Sequence, residues 1–107
     1  MSRKPRVDRT HIIYEIVTPV GSYIGVTAKT ESTVLKSLRS RAAKHYYRAK
    51  TESKNWALCQ YLRTLEDKTQ IDIRMHEMVR GKADAHARER ELIRINNPLL
   101  NTDKRGM

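Results

Sequence analysis

The sequence of 107 residues contains no phenylalanine, one tryptophan and one cysteine. A hydrophobic core therefore has to rest on isoleucine, leucine, valine, methionine, the tryptophan and the five tyrosines. The lone cysteine, Cys59, cannot form an internal disulfide, and its single thiolate cannot build a zinc knuckle. A cytoplasmic, reducing setting is therefore expected. Because a free cysteine is usually buried and inert, we interpret Cys59 as a small core residue beside Leu58 and Leu62.

The sequence also lacks long apolar runs and has relatively few acidic residues. No stretch approaches the roughly 18 apolar residues of a membrane span, and no apolar signal-peptide core follows the basic N-terminus. Lysine and arginine number 22 against 12 aspartate and glutamate residues, which gives a formal net charge of +10. An anionic membrane surface could offset this charge, but the apolar side of a basic helix is needed here for the core. Nucleic acid is therefore the expected partner, without membrane association.

The chain length predicts one domain, because 107 residues support a single modest core. We predict a flexible basic arm over residues 1–10, the domain over residues 11–101 and a short tail over residues 102–107. The sequence contains no repeat, low-complexity tract or interdomain linker.

Two segments near the start of the domain are rich in β-branched and aromatic residues. They cover residues 11–17 and 22–27, and Pro19 and Gly21 mark the turn between them, which predicts a β-hairpin. Apolar residues then recur at helical spacing over residues 34–49, after several potential caps, and predict a helix of about four turns. Its apolar stripe contains Val34, Leu35, Leu38, Ala42, His45 and Ala49.

The second half of the domain predicts a helix, a strand and a helix. The first helix covers residues 54–66 and has three leucines on its buried side. Residues 71–76 alternate between apolar and polar side chains, as in a half-buried strand with Met75 inward. Asp84 can cap a last helix that runs to about Asn96, and Pro98 follows it. This order, β-β-α-α-β-α, predicts an α+β fold: a small three-stranded antiparallel sheet flanked by about three helices.

Glu89 is the main candidate for chemistry because it lies among apolar residues on the last helix. Ala85, Glu89 and Leu92 fall on one face, whereas Glu91 lies about 200 degrees around the helix from Glu89. A carboxylate on an apolar stripe is costly unless it is paired, protonated or bound to a cation. The pattern therefore fits either a structural salt bridge with an arginine or a functional site.

Two tyrosines and an arginine–histidine pair are further candidates. Tyr14 and Tyr23, nine residues apart across the predicted turn, can approach each other from neighbouring strands, although strand tyrosines also serve in packing. Arg41 and His45 are four residues apart and share one face of the first helix. A guanidinium can clamp a phosphate and offset the charge that develops in phosphoryl transfer.

The tyrosine segments resemble the two motifs of the GIY-YIG nuclease family. The second motif is intact as Tyr23-Ile24-Gly25, whereas the first is degenerate as Ile12-Ile13-Tyr14. Ile12 stands at the glycine position of the first motif, and we interpret that position as one of packing. The resemblance spans about residues 12–101.

The later residues extend the resemblance. As in the family, Glu89 is followed by an apolar residue four positions later, and then by a proline and Asn101. Arg41 and His45 match an arginine–histidine pair on the first helix of the family. The spacing from the second motif to Arg41 is longer than usual by roughly two helical turns, which leaves Arg39 as a competitor. The resemblance implies that the arginine clamps the scissile phosphate and that His45 contacts the phosphate or the leaving group. The alternative for His45 is a polar side chain that only packs at the edge of the core.

The resemblance implies a metal-dependent endonuclease that hydrolyses phosphodiester bonds in DNA, with RNA not excluded. Glu89 would be the ligand of one Mg²⁺ or Mn²⁺ ion, hard cations that suit a carboxylate oxygen, and Asn101 would help hold the site. Tyr14 or Tyr23 would help remove a proton from water. Which tyrosine does so stays open, because a phenol with a pKa near 10 is a poor base without nearby cations.

Other basic residues are expected to bind phosphates without sequence preference. We assign this role to Arg39, Lys44, Arg48 and Lys50. A homodimer is the expected route to double-strand cutting, since one active site cuts one strand. His86 lacks a metal-ligand spacing and is expected to be exposed or to cap a helix. The alternative function is a non-catalytic basic nucleic-acid-binding module on a nuclease-like fold, which would not need these tyrosines, arginine and glutamate in this order.

Overall fold

The structure is a computed structural model that describes residues 9–52 and 57–101. Its strands and α-helices, in chain order, are β1 (Thr10–Thr18), β2 (Gly21–Ala28), α1 (Val34–Thr51), α2 (Ala57–Leu62), β3 (Asp72–Arg80) and α3 (Lys82–Asn96). The predicted α+β class and the order of elements are confirmed. Most of the predicted arm and all of the predicted tail lie outside the described residues.

The three strands form one antiparallel sheet in the order β2-β1-β3, so that β1 is the central strand. Residues 12–14 of β1 are all fully buried, as expected for a strand that is covered on both faces of the sheet. Strands β1 and β2 form the predicted hairpin, with Thr18 opposite Gly21 across a two-residue turn.

Helices cover both faces of this sheet. Ile12, Tyr14 and Ile16 of β1 point toward α1 and α2 and belong to the larger core cluster. Ile13, which points to the other face, packs with Leu92 of α3 in a smaller cluster. The sheet therefore has α1 and α2 on one face and α3 on the other. Side chains from both helical layers reach the surroundings of β2.

Strand β3 departs from the simple alternation that its sequence suggests. Ile13 pairs with Glu77 and Tyr14 pairs with Met75, so the register shifts and His76 is the extra residue of a bulge. Met75 lies on the same face as Tyr14 but is 48% exposed. The prediction of an inward Met75 is wrong because β3 is an edge strand, whose side chains have a neighbouring strand on one side only.

The helix starts were predicted better for α1 than for α3. Thr33 caps α1 by accepting a hydrogen bond from Lys36 N at 3.1 Å. Asp84, in contrast, does not cap α3: the N-cap is Gly81, whose φ of 93° suits glycine, and Asp84 lies in the first turn. The helix begins three residues earlier than predicted, because the backbone geometry at Gly81 turns the chain without a capping side chain.

Four smaller predictions are also settled by the described residues. Helix α2 ends at Leu62 and not at residue 66, because Thr64 N and Leu65 N bond to carbonyls three residues back and close the last turn. Its predicted start lies outside the described residues.

Leu35, assigned to the apolar stripe of α1, is exposed, and Cys59 packs against the core but is only half-buried. Helix α3 ends at Asn96 as predicted, with Asn97 in the left-handed conformation before Pro98.

Across residues 9–52 and 57–101, no helix has the length and apolar character that crossing a membrane requires.

Candidate active site

Four of the predicted site residues meet where the β1–β2 hairpin packs against α1. The Tyr14 hydroxyl oxygen lies 2.6 Å from His45 Nε2 and accepts a hydrogen bond from Arg41 Nε at 3.3 Å. The Tyr23 ring centre lies 6.4 Å from that of Tyr14 and 5.6 Å from that of His45. The two tyrosines and the arginine–histidine pair therefore form a single cluster.

The packing of α1 explains this convergence. Leu38, Ala42 and Ala49 are buried on the side of α1 that faces the sheet. Arg41 and His45, one turn apart, flank Ala42, so burial of that alanine brings both polar side chains to the edge of the core. Tyr14 lies on the sheet face that α1 covers, and its hydroxyl ends between them.

The glycine of the second motif has a direct structural role. Gly25 lies opposite Tyr14 in the β1–β2 register. A Cβ atom at this position would lie 2.5 Å from the Tyr14 hydroxyl oxygen and 3.0 Å from Tyr23 Cε1. Only glycine leaves room for the Tyr14 ring to cross β2. Ile12, which stands at the glycine position of the first motif, is fully buried in the core, in agreement with its interpretation as a packing residue.

The hydrogen bonds of Tyr14 define its chemistry. Arg41 Nε can only donate, so the Tyr14 oxygen is the acceptor in that bond and its own proton is left for another partner. His45 Nε2, when neutral and unprotonated, is the acceptor within reach. Tyr14 and His45 can thus share one proton, with a cation beside the phenol oxygen.

The polar and charged groups around Arg41 favour the charged form of its guanidinium. Burial lowers the pKa of the Arg41 guanidinium, but the charges and the hydrogen bond of Tyr14, with the charges of Tyr23 and Glu89, raise it above its ordinary value. The charge of Glu89 on α3 therefore acts on the arginine of α1. Arg41 can therefore serve as a permanent positive charge in the cluster.

Glu89 lies on the buried face of α3, as predicted, with 6% of its surface exposed. Its Oε1 atom is 3.8 Å from His86 Nδ1 on the preceding turn. Glu91 is exposed and pairs with Arg88, which also binds Glu77. The predicted difference between an inward Glu89 and an outward Glu91 is therefore confirmed.

The donor set around Glu89 fits the Mg²⁺ that the resemblance implies. Among the residues that the structure describes, no three His, Cys, Asp or Glu side chains are grouped so as to hold a metal ion. Mg²⁺ is commonly bound by one or two carboxylates together with substrate phosphates and water. A single buried carboxylate such as Glu89 would provide one protein ligand of such a site.

Asn101 acts on the backbone of β2. It is fully buried; its Oδ1 accepts from Ile24 N at 2.8 Å, and its Nδ2 donates to Ile24 O at 3.0 Å. The side chain thus pairs with the outer edge of β2 as the peptide group of another strand would. Because Ile24 lies between Tyr23 and Gly25, Asn101 fixes the strand segment that carries the second motif.

Arg41 and its competitor Arg39 point to different parts of the molecule. Arg39 lies in a groove with Leu35, Lys68 and Ile73, on the side of α1 that faces β3. Arg41 contacts Tyr14 and lines two cavities, one of them together with Tyr23. The structure therefore brings Arg41, and not Arg39, into the cluster.

The other predicted phosphate contacts are distributed unevenly around the cluster. Arg48 lines a small cavity together with Tyr23, Arg41 and His45, and it pairs with Glu52 at 3.4 Å. Lys44 is exposed between the turns of Arg41 and Arg48. The exposed Lys50 instead donates to backbone carbonyls of residues 63 and 65, so it holds the chain after α2.

The sequence patterns missed one part of this region. His11 and Lys82, distant in sequence, line a second cavity with Arg41 and His86. No periodicity or motif relates these positions, because they meet only when the start of β1 lies beside the start of α3.

Comparison of the chain with protein-family models, with curated proteins and with solved structures finds no match.

Proposed function

We propose that the chain is a metal-dependent endonuclease of the GIY-YIG type that hydrolyses phosphodiester bonds in DNA. The observation that carries this proposal is the Tyr14 hydroxyl, which lies between His45 Nε2 and the Arg41 guanidinium. A structural core tyrosine has no need of an imidazole and a permanent cation on the same oxygen. Proton removal from water, next to an anionic substrate, makes use of both.

The Tyr14–His45 pair is the proton acceptor in this proposal. Tyr14 is fully buried, whereas His45 lines the cavity with Tyr23. The phenol of Tyr14 and the imidazole of His45 therefore act together across one short hydrogen bond. Water attacks phosphorus, its O–H bond breaks, and the proton passes to the pair. The bond from phosphorus to the leaving oxygen breaks at the same centre, and solvent protonates the leaving group.

Arg41 stabilises the charge that develops on the phosphate, because its guanidinium remains positive. Glu89 would hold Mg²⁺ or Mn²⁺. When bound, the ion supplies Lewis-acid stabilisation of the phosphoryl oxygens. Asn101 keeps Tyr23 in place through Ile24. A cytoplasmic setting is part of the proposal.

Incubation of the purified chain with supercoiled plasmid and Mg²⁺, with and without a chelator, tests the function. We expect nicked circles before linear product, at many positions, because one active site cuts one strand and the domain has few groups that read bases. Affinity should fall steeply with salt concentration as counterions are released. A structured RNA serves as a second substrate. Plasmid binding by mobility shift without any nicking would instead favour the non-catalytic binding module.

Arg41→Ala is expected to lower the nicking rate by roughly 10²–10³-fold, because it removes the cation beside the scissile phosphate. Arg39→Ala removes the same charge from the same helix and should change the single-turnover rate little. Rates measured with enzyme in excess separate this effect from weaker binding. A larger loss in Arg39→Ala than in Arg41→Ala would move the phosphate clamp to the groove beside β3.

A further inference from the structure

We propose that the cavity between the start of β1 and the start of α3 binds a second phosphate of the nucleic-acid strand, next to the scissile one. This inference rests on the proposed function, since it assigns the neighbouring phosphate of the same substrate. The cavity has a volume of about 390 Å³ and is lined by Arg9, His11, Arg41, Lys82 and His86 among others. Within the part of the chain that the structure describes, the lining includes three arginines or lysines and two histidines, and no carboxylate.

His11 is the observation that points to a ligand. The residue is only 7% exposed, and its Nδ1 donates to the Arg9 carbonyl at 2.8 Å. A carbonyl accepts only, so Nδ1 carries a proton and Nε2 is the remaining polar atom of the ring. Nε2 has no hydrogen-bond partner within the described ranges of the chain. Nε2 accepts in the neutral ring and donates when both ring nitrogens carry protons, so a phosphate in the cavity is a partner for the doubly protonated imidazole.

The start of α3 provides a second set of donors at the same cavity. The first intrahelical hydrogen bond runs from Ala85 N to Gly81 O, so the preceding N–H groups of the first turn have no helical partner. Gly81 offers no capping side chain. The positive end of the helix dipole therefore lies at a cavity that is already lined by cationic side chains.

One carbonyl holds these two parts together. Arg9 O accepts from His11 Nδ1 at 2.8 Å and from Gly81 N at 3.0 Å. It thereby fixes the imidazole relative to the first turn of α3. The site is built by the fold before any ligand arrives, which lowers the cost of ordering it on binding.

The position of the cavity identifies the ligand as a strand phosphate. Arg41 lines this cavity and also donates to Tyr14, so one guanidinium borders both the proposed reaction centre and the second site. His86, on the α3 side of the cavity, lies 3.8 Å from Glu89. A strand with its scissile phosphate at Arg41 and Glu89 would place an adjacent phosphate beside His11 and Lys82.

Titration of the full-length ¹⁵N,¹³C-labelled chain with inorganic phosphate tests the cavity by NMR. We expect saturable shifts of the His11 ring signals and of the Lys82 and Ala83 amides, relative to chloride at equal ionic strength. His11→Asn keeps a donor near the Nδ1 position and removes Nε2, so it should weaken phosphate binding about tenfold or more. His11→Gln places an amide near the Nε2 position and should restore part of it. Absence of saturable shifts at these groups would overturn the site.

Salt dependence of DNA binding tests whether the phosphate belongs to a strand. With a chelator present and a short fluorescent duplex, Lys82→Ala should reduce the slope of log affinity against log salt by about one. Lys36→Ala is the control and should leave the slope unchanged, because Lys36 is an exposed lysine on α1 that lines none of these cavities. Unchanged slopes in both variants, with phosphate shifts present, would overturn the strand assignment in favour of free phosphate.

The two proposals fail in distinguishable ways. Mg²⁺-dependent cleavage by the wild type without any phosphate shifts or slope change would remove the second site alone. The expected slope change without cleavage would remove the endonuclease assignment and keep the second site. Thermal unfolding of each variant shows whether it is folded; the exposed Lys82 is expected to tolerate alanine even if the buried His11 does not.

Discussion

Glu89→Gln is expected to abolish Mg²⁺-dependent cleavage while the protein still folds and binds DNA. Glutamine has nearly the same volume as glutamate, so the packing of α3 on the sheet is retained. The substitution removes the carboxylate charge that would hold the metal ion, and metal stabilisation of a phosphoryl group is worth several kcal/mol. This corresponds to a rate loss of roughly 10³-fold or more in a single-turnover nicking assay.

Glu91→Gln is the matched control for this experiment. Glu91 lies on the same helix, but it is exposed and pairs with Arg88. An exposed ion pair contributes little to stability, so this variant should cut and unfold almost as the wild type does. Equal cleavage rates in wild type and Glu89→Gln would show that Glu89 is a structural carboxylate, and the proposed metal site would be wrong.

Tyr14→Phe is expected to slow the chemical step by roughly 10²–10⁴-fold, the range of general acid–base catalysis. The substitution removes a single hydroxyl, which is the group that contacts both His45 Nε2 and Arg41 Nε. The phenyl ring keeps its place beside Gly25, so the hairpin should stay intact. Loss of these two partly buried hydrogen bonds should lower the free energy of unfolding by about 1–3 kcal/mol, since Arg41 Nε and His45 Nε2 each lose this partner. Rapid single-turnover kinetics and thermal unfolding separate the two effects.

Tyr46→Phe provides a control on the same helix as His45. Its hydroxyl donates to the backbone carbonyl of Glu66 at 3.0 Å, outside the tyrosine cluster, so its removal should leave the cleavage rate unchanged. Tyr23→Phe tests the second tyrosine, which lines the cavity with His45 and Arg41. Wild-type rates in both Tyr14→Phe and Tyr23→Phe would show that the tyrosines only pack, and the proposed proton acceptor would be wrong.

Features set by neighbouring residues could be predicted from the sequence. The hairpin follows from two β-rich segments around Pro19 and Gly21, and the start of α1 follows from the Thr33 cap. Helical periodicity also separated Glu89 from Glu91 correctly, because the angle between two positions on a helix depends only on their spacing.

The errors arose where backbone geometry or distant neighbours decide. A capping aspartate was expected for α3, but the conformation of Gly81 starts the helix earlier. Met75 occupies an inward position in the alternating pattern of β3. Its exposure instead depends on β3 being an edge strand and on the bulge at His76. Neither the sheet order nor the bulge is visible in the local pattern.

The sequence by itself determined the elements, their amphipathic faces and the set of polar residues from which a site could be built. Only the tertiary structure decided which of them meet. Tyr14 bonds to His45 across 31 positions, and Asn101 bonds to Ile24 across 77. The same packing placed Arg41 instead of Arg39 beside Tyr14 and formed the cavity that His11 lines. Such contacts depend on strand register and on how each helix is rotated against the sheet, and these are fixed by burial of the whole core rather than by the spacing of any one segment.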